Sequence, residues 1–278
     1  MAHEEQESLS RSRMWRSTDA EQWQQDVERR RQDFADATHR MLEAAGLKPG
    51  DHVLDVAAGT GDQSFLAARI VGPGGSILAT DLSPDMLAIA ARVAQQEGLT
   101  TITTCVMDAQ QLDLEDETFD AVICRLGLML FPHPQQALRE IHRVLKTGGK
   151  LAALVWSSPE HNPLWSLPLG ILSRYASGAP SPGPNPFALS DPSVFERELT
   201  DAGFHMVSTQ ALPFESHYAS SEAFLHSTAS RLIAGVMGQL PHQEQEHVLG
   251  EVRQAVSQFE GPQGLVAPAE FLLGVGSK

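Results

Sequence analysis

The sequence predicts an α/β fold built on a doubly wound, mostly parallel sheet of seven strands, Rossmann-like, with helical additions at the N-terminus and in the C-terminal half. Three observations predict it. Short apolar runs alternate with helical segments between residues 52 and 156; two glycines, Gly59 and Gly61, form a turn behind the first run; a carboxylate, Asp81, closes the second. Regular strand–helix alternation demands right-handed crossovers, which cover both faces of a parallel sheet with helices.

The first fifty residues read as helix. Trp23, Val27, Phe34 and Met41 recur at spacings of four and seven, one face of a 3.6-residue repeat. Thr18 and Glu21 offer a capping box at its start, and Gly46 a stop at its end. His52–Ala57 is the first strand, Gln63–Val71 a helix broken by Gly72-Pro73-Gly74-Gly75, and Ser76–Asp81 the second strand. Ser83, Pro84 and Asp85 then supply an N-cap, a first-turn proline and a dipole-favoured carboxylate for a helix to about Glu97. Strands follow at Thr100–Asp108 and Phe119–Leu126, a helix at Pro134–Lys146 closing on Gly148-Gly149, and a strand at Lys150–Trp156.

Beyond residue 156 the pattern loosens. Residues 157–192 hold eight of the 17 prolines around an apolar stretch, Leu164–Tyr175, which reads as a long crossover carrying one helix and binding surface. Asp191–Ala202 reads as a helix, His205–Phe214 as a strand, Ser221–Leu240 and Pro241–Phe259 as helices, and Phe271–Val275 as a last strand. The expected division is 1–46, 47–156 and 157–278.

Composition narrows the function. The 278 residues carry a formal net charge of −15, which sets nucleic acid and anionic membrane surfaces aside as partners and favours a small molecule. No apolar run is long enough to cross a bilayer, and Met1–Ser8 is acidic and polar, unlike a secretory signal. Cys105 and Cys124, without a CxxC spacing, give neither a disulfide framework nor a zinc site; the expected location is the cytoplasm. Nothing in the sequence points to a metal or specifies an oligomer.

The chemistry concentrates in Val53–Asp62, a buried strand entering a tight turn and a helix. Glycines there let a ligand approach the backbone, and the helix start presents free N–H groups. Asp81, twenty residues after Gly61, stands where a nucleotide-binding α/β protein places a carboxylate for ribose hydroxyls. A dinucleotide fingerprint would carry a third glycine, absent here, and Asp62 is a poor neighbour for a pyrophosphate though compatible with a cationic ligand.

This pattern resembles motif I of the class I S-adenosylmethionine-dependent methyltransferases, and the resemblance continues through residue 156. Ile77–Leu87 is similar to the family's ribose-binding segment, Met107-Asp108-Ala109-Gln110 to its adenine segment, Phe119–Arg125 to the strand leading to the transfer site, and Arg143–Gly149 to the turn that follows. Together these resemble the small-molecule branch typified by ubiquinone/menaquinone biosynthesis, as does the ending from Ala267 to Lys278. The resemblance implies S-adenosyl-L-methionine as cofactor, held by Ala57, Gly59, Thr60, Gly61, Asp81, Leu82, Met86, Asp108, Ala109 and Arg125. It makes residues 1–46 a lid, residues 47–156 the cofactor-binding core, and residues 157–278 the rest of the sheet with substrate-binding insertions.

Two departures stand out. Ala57 occupies the place of the first glycine in many members, and Leu126–Phe131 is apolar where many relatives are polar. Met129, Phe131, Trp156 and Trp165, with Trp15 from the lid, are candidates for the acceptor pocket, and ordinary core packing is the competing reading for them. His133 and His161 follow the fourth and fifth strands and are the candidate general bases. Asp55 has two readings, organising the turn or meeting the cofactor's ammonium through water. Arg125 has three: the cofactor, an acidic substrate, or an ion pair. The expected function is metal-free, in-line transfer of a methyl group to O, N or C of a fairly apolar small metabolite. The alternatives are an NAD(P)-dependent oxidoreductase, which lacks here a Tyr-x-x-x-Lys pair, and a binding protein on the same fold.

Overall fold

The computed structural model describes residues 27–175, 185–227 and 242–278. Trp15, Trp23, the Thr18–Glu21 capping box and residues 228–240 of the expected Ser221–Leu240 helix lie outside them. Two helices, α1 (Val27–Asp33) and α2 (Ala35–Ala45), precede the sheet. The single helix expected there is broken at Phe34, whose φ of −99° and ψ of 4° leave the helical well. The break turns the Phe34 ring into the core, where it is 5% exposed beside Met41 and Leu42.

The central sheet follows the expected alternation. Strands β1 (His52–Val56), β2 (Ser76–Asp81), β3 (Ile102–Val106), β4 (Phe119–Arg125) and β5 (Leu145–Trp156) are parallel, and helices α3 (Asp62–Val71), α4 (Pro84–Gln96) and α5 (Pro134–Val144) connect them. Helix α5 ends two residues earlier than expected, because Leu145 is already extended (ψ 140°) and pairs with Phe119 at the start of β5. Ser83 caps α4 as expected, its hydroxyl accepting from Met86 N–H.

The last part of the chain completes the sheet with α6 (Pro163–Tyr175), α7 (Pro192–Asp201), β6 (His205–Tyr218), α8 (Ser221–His226), α9 (His242–Val256), a two-residue β7 (Glu260–Gly261) and β8 (Gly264–Ser277). The order is β3-β2-β1-β4-β5-β8-β6, with β8 antiparallel to both neighbours and β7 paired to β8 as an eighth strand beyond the seven expected.

β6 and β8 run much further than the periodicity predicts. Trp156 pairs with Phe271 and Phe271 with Leu212, which marks the end of β5; six further pairs, Pro213–Glu270 to Tyr218–Leu265, rise beyond it. At about 3.4 Å per residue this arm stands roughly 20 Å above the strand ends. Pro268 is tolerated because it has the parity of Glu270, whose backbone faces away from β6 toward Ser157 and Asn162. A strand proline costs no ladder bond on such an open side. Helices α6, α8 and α9 pack against the arm through Leu172, Phe224, Val248, Val252 and Leu265.

Candidate active site

The turn after β1 is built from left-handed backbone. Ala57, Gly59 and Gly61 all have positive φ, at 56°, 57° and 85°. Gly61 is the N-cap of α3, and a Cβ there would lie 2.8 Å from the Phe65 ring and 3.0 Å from Ala90. The turn is therefore held tightly against α3 and α4, and only glycine fits. Ala58 N–H donates to Thr80 C=O across 2.9 Å, tying the turn to β2.

Asp81 closes the other side. Its Oδ2 accepts from Gly59 N–H at 2.9 Å and its Oδ1 from Ser83 N–H at 2.9 Å. Burial raises its pKa, and the backbone donors oppose the rise. Each oxygen keeps a lone pair, so the carboxylate can still accept from two vicinal hydroxyls.

Asp55 lies beneath the turn, fully buried, accepting from the Ser64 hydroxyl and from Gln63 Nε2 at 3.0 Å. Desolvation pushes its pKa up to about 7 against the pull of those donors and of Arg125. These bonds place Asp55 as the organiser of the turn. Ser64 stands where a dinucleotide fingerprint has its third glycine and spends its hydroxyl on this interior bond.

Two polar atoms of the turn, Thr60 Oγ1 and Asp62 Oδ1, are buried without a hydrogen-bond partner among the described residues. Asp62 is the first residue of α3, and its carboxylate meets Arg30 at 3.4 Å, Arg31 at 3.5 Å and Arg125 at 3.3 Å. Arg125 also donates to the Thr38 hydroxyl at 3.0 Å. Arg30, on α1, is a contributor that sequence reading missed, since an arginine in an amphipathic helix carries no signal of burial.

The adenine-segment residues lie at the end of β3. Met107 N–H donates to Asp81 C=O at 3.0 Å, and Asp108 accepts from Gln110 N–H at 2.9 Å. Ala109 is buried, Leu82 half-buried, and Met86 is packed with Ile89. The structure thus brings Gly59, Thr60, Gly61, Asp81, Leu82 and Asp108 to the carboxyl ends of adjacent strands.

Gly127 is a second residue that sequence reading passed over. A Cβ there would lie 2.4 Å from Ala57 Cβ, so β4 leaves the sheet hard against the turn. Leu126 takes a positive φ of 61° to make that exit. Of the acceptor-pocket candidates, Phe131 and Trp165 are half-buried, whereas Met129 and Trp156 are each 4% exposed. Trp156 belongs to a cluster with Phe34 (6.3 Å between centroids), Trp165 (5.3 Å) and Phe271 (4.6 Å), and Phe214 stacks on Phe271 at 4.5 Å.

Both candidate bases are exposed. His133 is the N-cap of α5 and donates its backbone N–H to Gln110 Oε1 at 3.0 Å. His161 places Nδ1 2.8 Å from Glu270 Oε1, at the root of the arm. Cys124 is buried, and its thiol is pushed up to about 12, so it is no nucleophile. No three of His, Cys, Asp and Glu are grouped to hold a metal among the described residues.

A family model described as a methyltransferase domain matches residues 47–163, the stretch that holds this turn and carboxylate. Residues 47–163 are thus similar to a methyltransferase domain. Among similar proteins, the ubiquinone/menaquinone biosynthesis C-methyltransferase UbiE of Cellvibrio japonicus is 40% identical over 128 residues, 45% of this chain and 50% of that one. The chain spans about half the length of the curated relatives it matches. The fold of the methyltransferase domain and its C-terminal half recurs in YcgJ of Bacillus subtilis, with a TM-score of 0.59 at 19% identity over 88% of this chain and 98% of that one. A methyltransferase-like protein of Bacillus halodurans gives the same TM-score at 22% identity, over 87% and 98%. No helix among the described residues is long and apolar enough to cross a membrane.

Proposed function

We propose that this protein is a cytoplasmic S-adenosylmethionine-dependent methyltransferase acting on a small, fairly apolar metabolite. The observation that carries the reading is the bond from Gly59 N–H to Asp81, which locks a left-handed glycine turn onto a half-buried carboxylate that still has free lone pairs. Thr60 Oγ1, buried without a hydrogen-bond partner among the described residues, fits a ligand whose polar end enters that turn.

When bound there, the cofactor supplies a methyl group on a positively charged sulfur. Asp81 would accept from the ribose hydroxyls, Asp108 and Ala109 would meet the adenine edge with Leu82 and Met86 beside it, and the Ala57–Gly61 backbone would admit the amino-acid end. Phe131 and Trp165, with Phe214 from the arm, wall the space beyond β4 and β5, exclude water and present ring faces to the positive charge. The wall's main work is to hold the acceptor in line. For an acceptor that must lose a proton, His161 is the base: Glu270 holds Nδ1–H and leaves Nε2 to receive it.

The test is calorimetry with S-adenosylhomocysteine, then incubation with methyl-labelled S-adenosylmethionine and a panel of small phenols, quinols and amines. Binding in the micromolar range and label in an acceptor are expected. A purified protein that takes up no S-adenosylhomocysteine would overturn the reading.

A further inference from the structure

Strand β5 ends at Trp156, which pairs with Phe271, so the next residue of β8, Glu270, lies past its neighbour's end. A side chain meets its backbone there. Asn162 Oδ1 accepts from Glu270 N–H at 2.9 Å, and Asn162 Nδ2 donates to Glu270 C=O at 3.1 Å. A primary amide carries an acceptor and a donor side by side, as a backbone residue does, so Asn162 extends the ladder by one rung. Nδ2 also lies 3.0 Å from Ser158 C=O, 3.3 Å from Ser157 C=O and 3.2 Å from Ser157 Oγ, which fixes the rotamer. Asn162 itself is 1% exposed.

The residue clamped in this way points at a candidate base. Glu270 Oε1 is 2.8 Å from His161 Nδ1, with the carboxylate 16% exposed and the imidazole 61%. Glu270 is the ring's hydrogen-bond partner among the described residues, so the tautomer and direction of the ring depend on where Glu270 stands.

We propose that Asn162 is a positioning residue for this base. Its amide holds the Glu270 backbone, and Glu270 in turn keeps the His161 proton on Nδ1 and leaves Nε2 bare. This rests on the methyl-transfer reading, in which His161 takes a proton from the acceptor. The backbone C=O of Asn162 accepts from Trp165 and Ser166 N–H at 3.0 and 2.9 Å to open α6. Those bonds do not involve the amide, so variants of the side chain keep the start of α6.

The test is nitrogen NMR of the histidine rings at about pH 8.5, where imidazole is neutral and its ring couplings tell the two tautomers apart. The proteins are the wild type, Asn162→Ala, Asn162→Ser and Glu270→Ala, with His161→Gln to identify the signal and calorimetry with S-adenosylhomocysteine on each. The wild type is expected to hold the proton on Nδ1. Glu270→Ala and both Asn162 variants should shift the ratio of Nδ1–H to Nε2–H about tenfold toward Nε2–H, with S-adenosylhomocysteine affinity unchanged. Asn162→Ser leaves room for water at the freed backbone groups and decides the matter where Asn162→Ala does not fold. Asn162 variants that keep the wild-type ratio overturn the proposal, as does a wild type protonated on Nε2. Variants that lose S-adenosylhomocysteine binding as well also overturn it, since the damage is then general. A wild type that takes no S-adenosylhomocysteine overturns the methyl-transfer reading instead, and the tautomers still decide what Asn162 does.

Discussion

The backbone N–H of Gly59 and the Oδ2 of Asp81 meet at 2.9 Å, although each sits at the end of a different strand. The bond couples the shape of the turn to the carboxylate that faces it, so the two act as one unit. Asp81→Ala removes the ribose acceptor and strands the N–H groups of Gly59 and Ser83. S-adenosylhomocysteine affinity should fall roughly a hundredfold and stability by about 1–3 kcal/mol, as read by calorimetry and urea denaturation. Unchanged affinity would remove Asp81 from the site.

Gly127→Ala tests the packing between β4 and the turn. The φ of Gly127 is −96°, which any residue adopts, so the whole cost comes from a methyl 2.4 Å from Ala57 Cβ. A loss of about 1–3 kcal/mol is expected together with weaker S-adenosylhomocysteine binding, because relief requires the turn to move. Gly170→Ala in α6, where no atom lies within 4 Å of the added Cβ, is the control and should gain about 0.5–1 kcal/mol.

Asp55 gives a pH dependence. Its carboxyl is pushed from the ordinary 3.8 up to about 7 by burial, so the folded protein holds this proton more tightly than the unfolded chain. Stability from this group is complete at low pH, falls as pH rises through that window, and levels off above it; the whole change is roughly 4 kcal/mol. Asp55→Asn should flatten the slope of urea midpoints between pH 4 and 7. A slope identical to that of the wild type would mean that Asp55 ionises normally.

Phe34→Ala should cost about 3–5 kcal/mol, read as a lowered urea midpoint, since the ring is 5% exposed and faces Trp156, Phe214 and Phe271. A loss below about 1 kcal/mol would mean that the break between α1 and α2 does not serve to bury this ring.

Much of the core is legible in the sequence because its signals are local. The strand, glycine turn, helix, second strand and Asp81 lie within thirty residues, and the Ser83 cap is read from three. The full run of β6 and β8 is hidden, because Pro213, Pro268, Gly264, Gly274 and Gly276 blur the period of two. Gly274 and Gly276 answer to residues far away: a Cβ at either would strike Phe195 or Phe204 at 2.4 and 2.8 Å. Arg30, Gly127 and Phe214 are likewise silent, since what they do depends on neighbours from other elements.

The sequence by itself determined the doubly wound α/β order through residue 156, and the glycine turn and carboxylate within it, because each follows from backbone preferences and spacing inside one strand–helix unit. Only the tertiary structure decided that α1 delivers Arg30 to Asp62 beside Arg125, and that β4 presses Gly127 against Ala57. It alone also decided that a long arm stands beside the strand ends. Those are contacts between distant segments, fixed by packing and charge burial, and no local period or propensity records them.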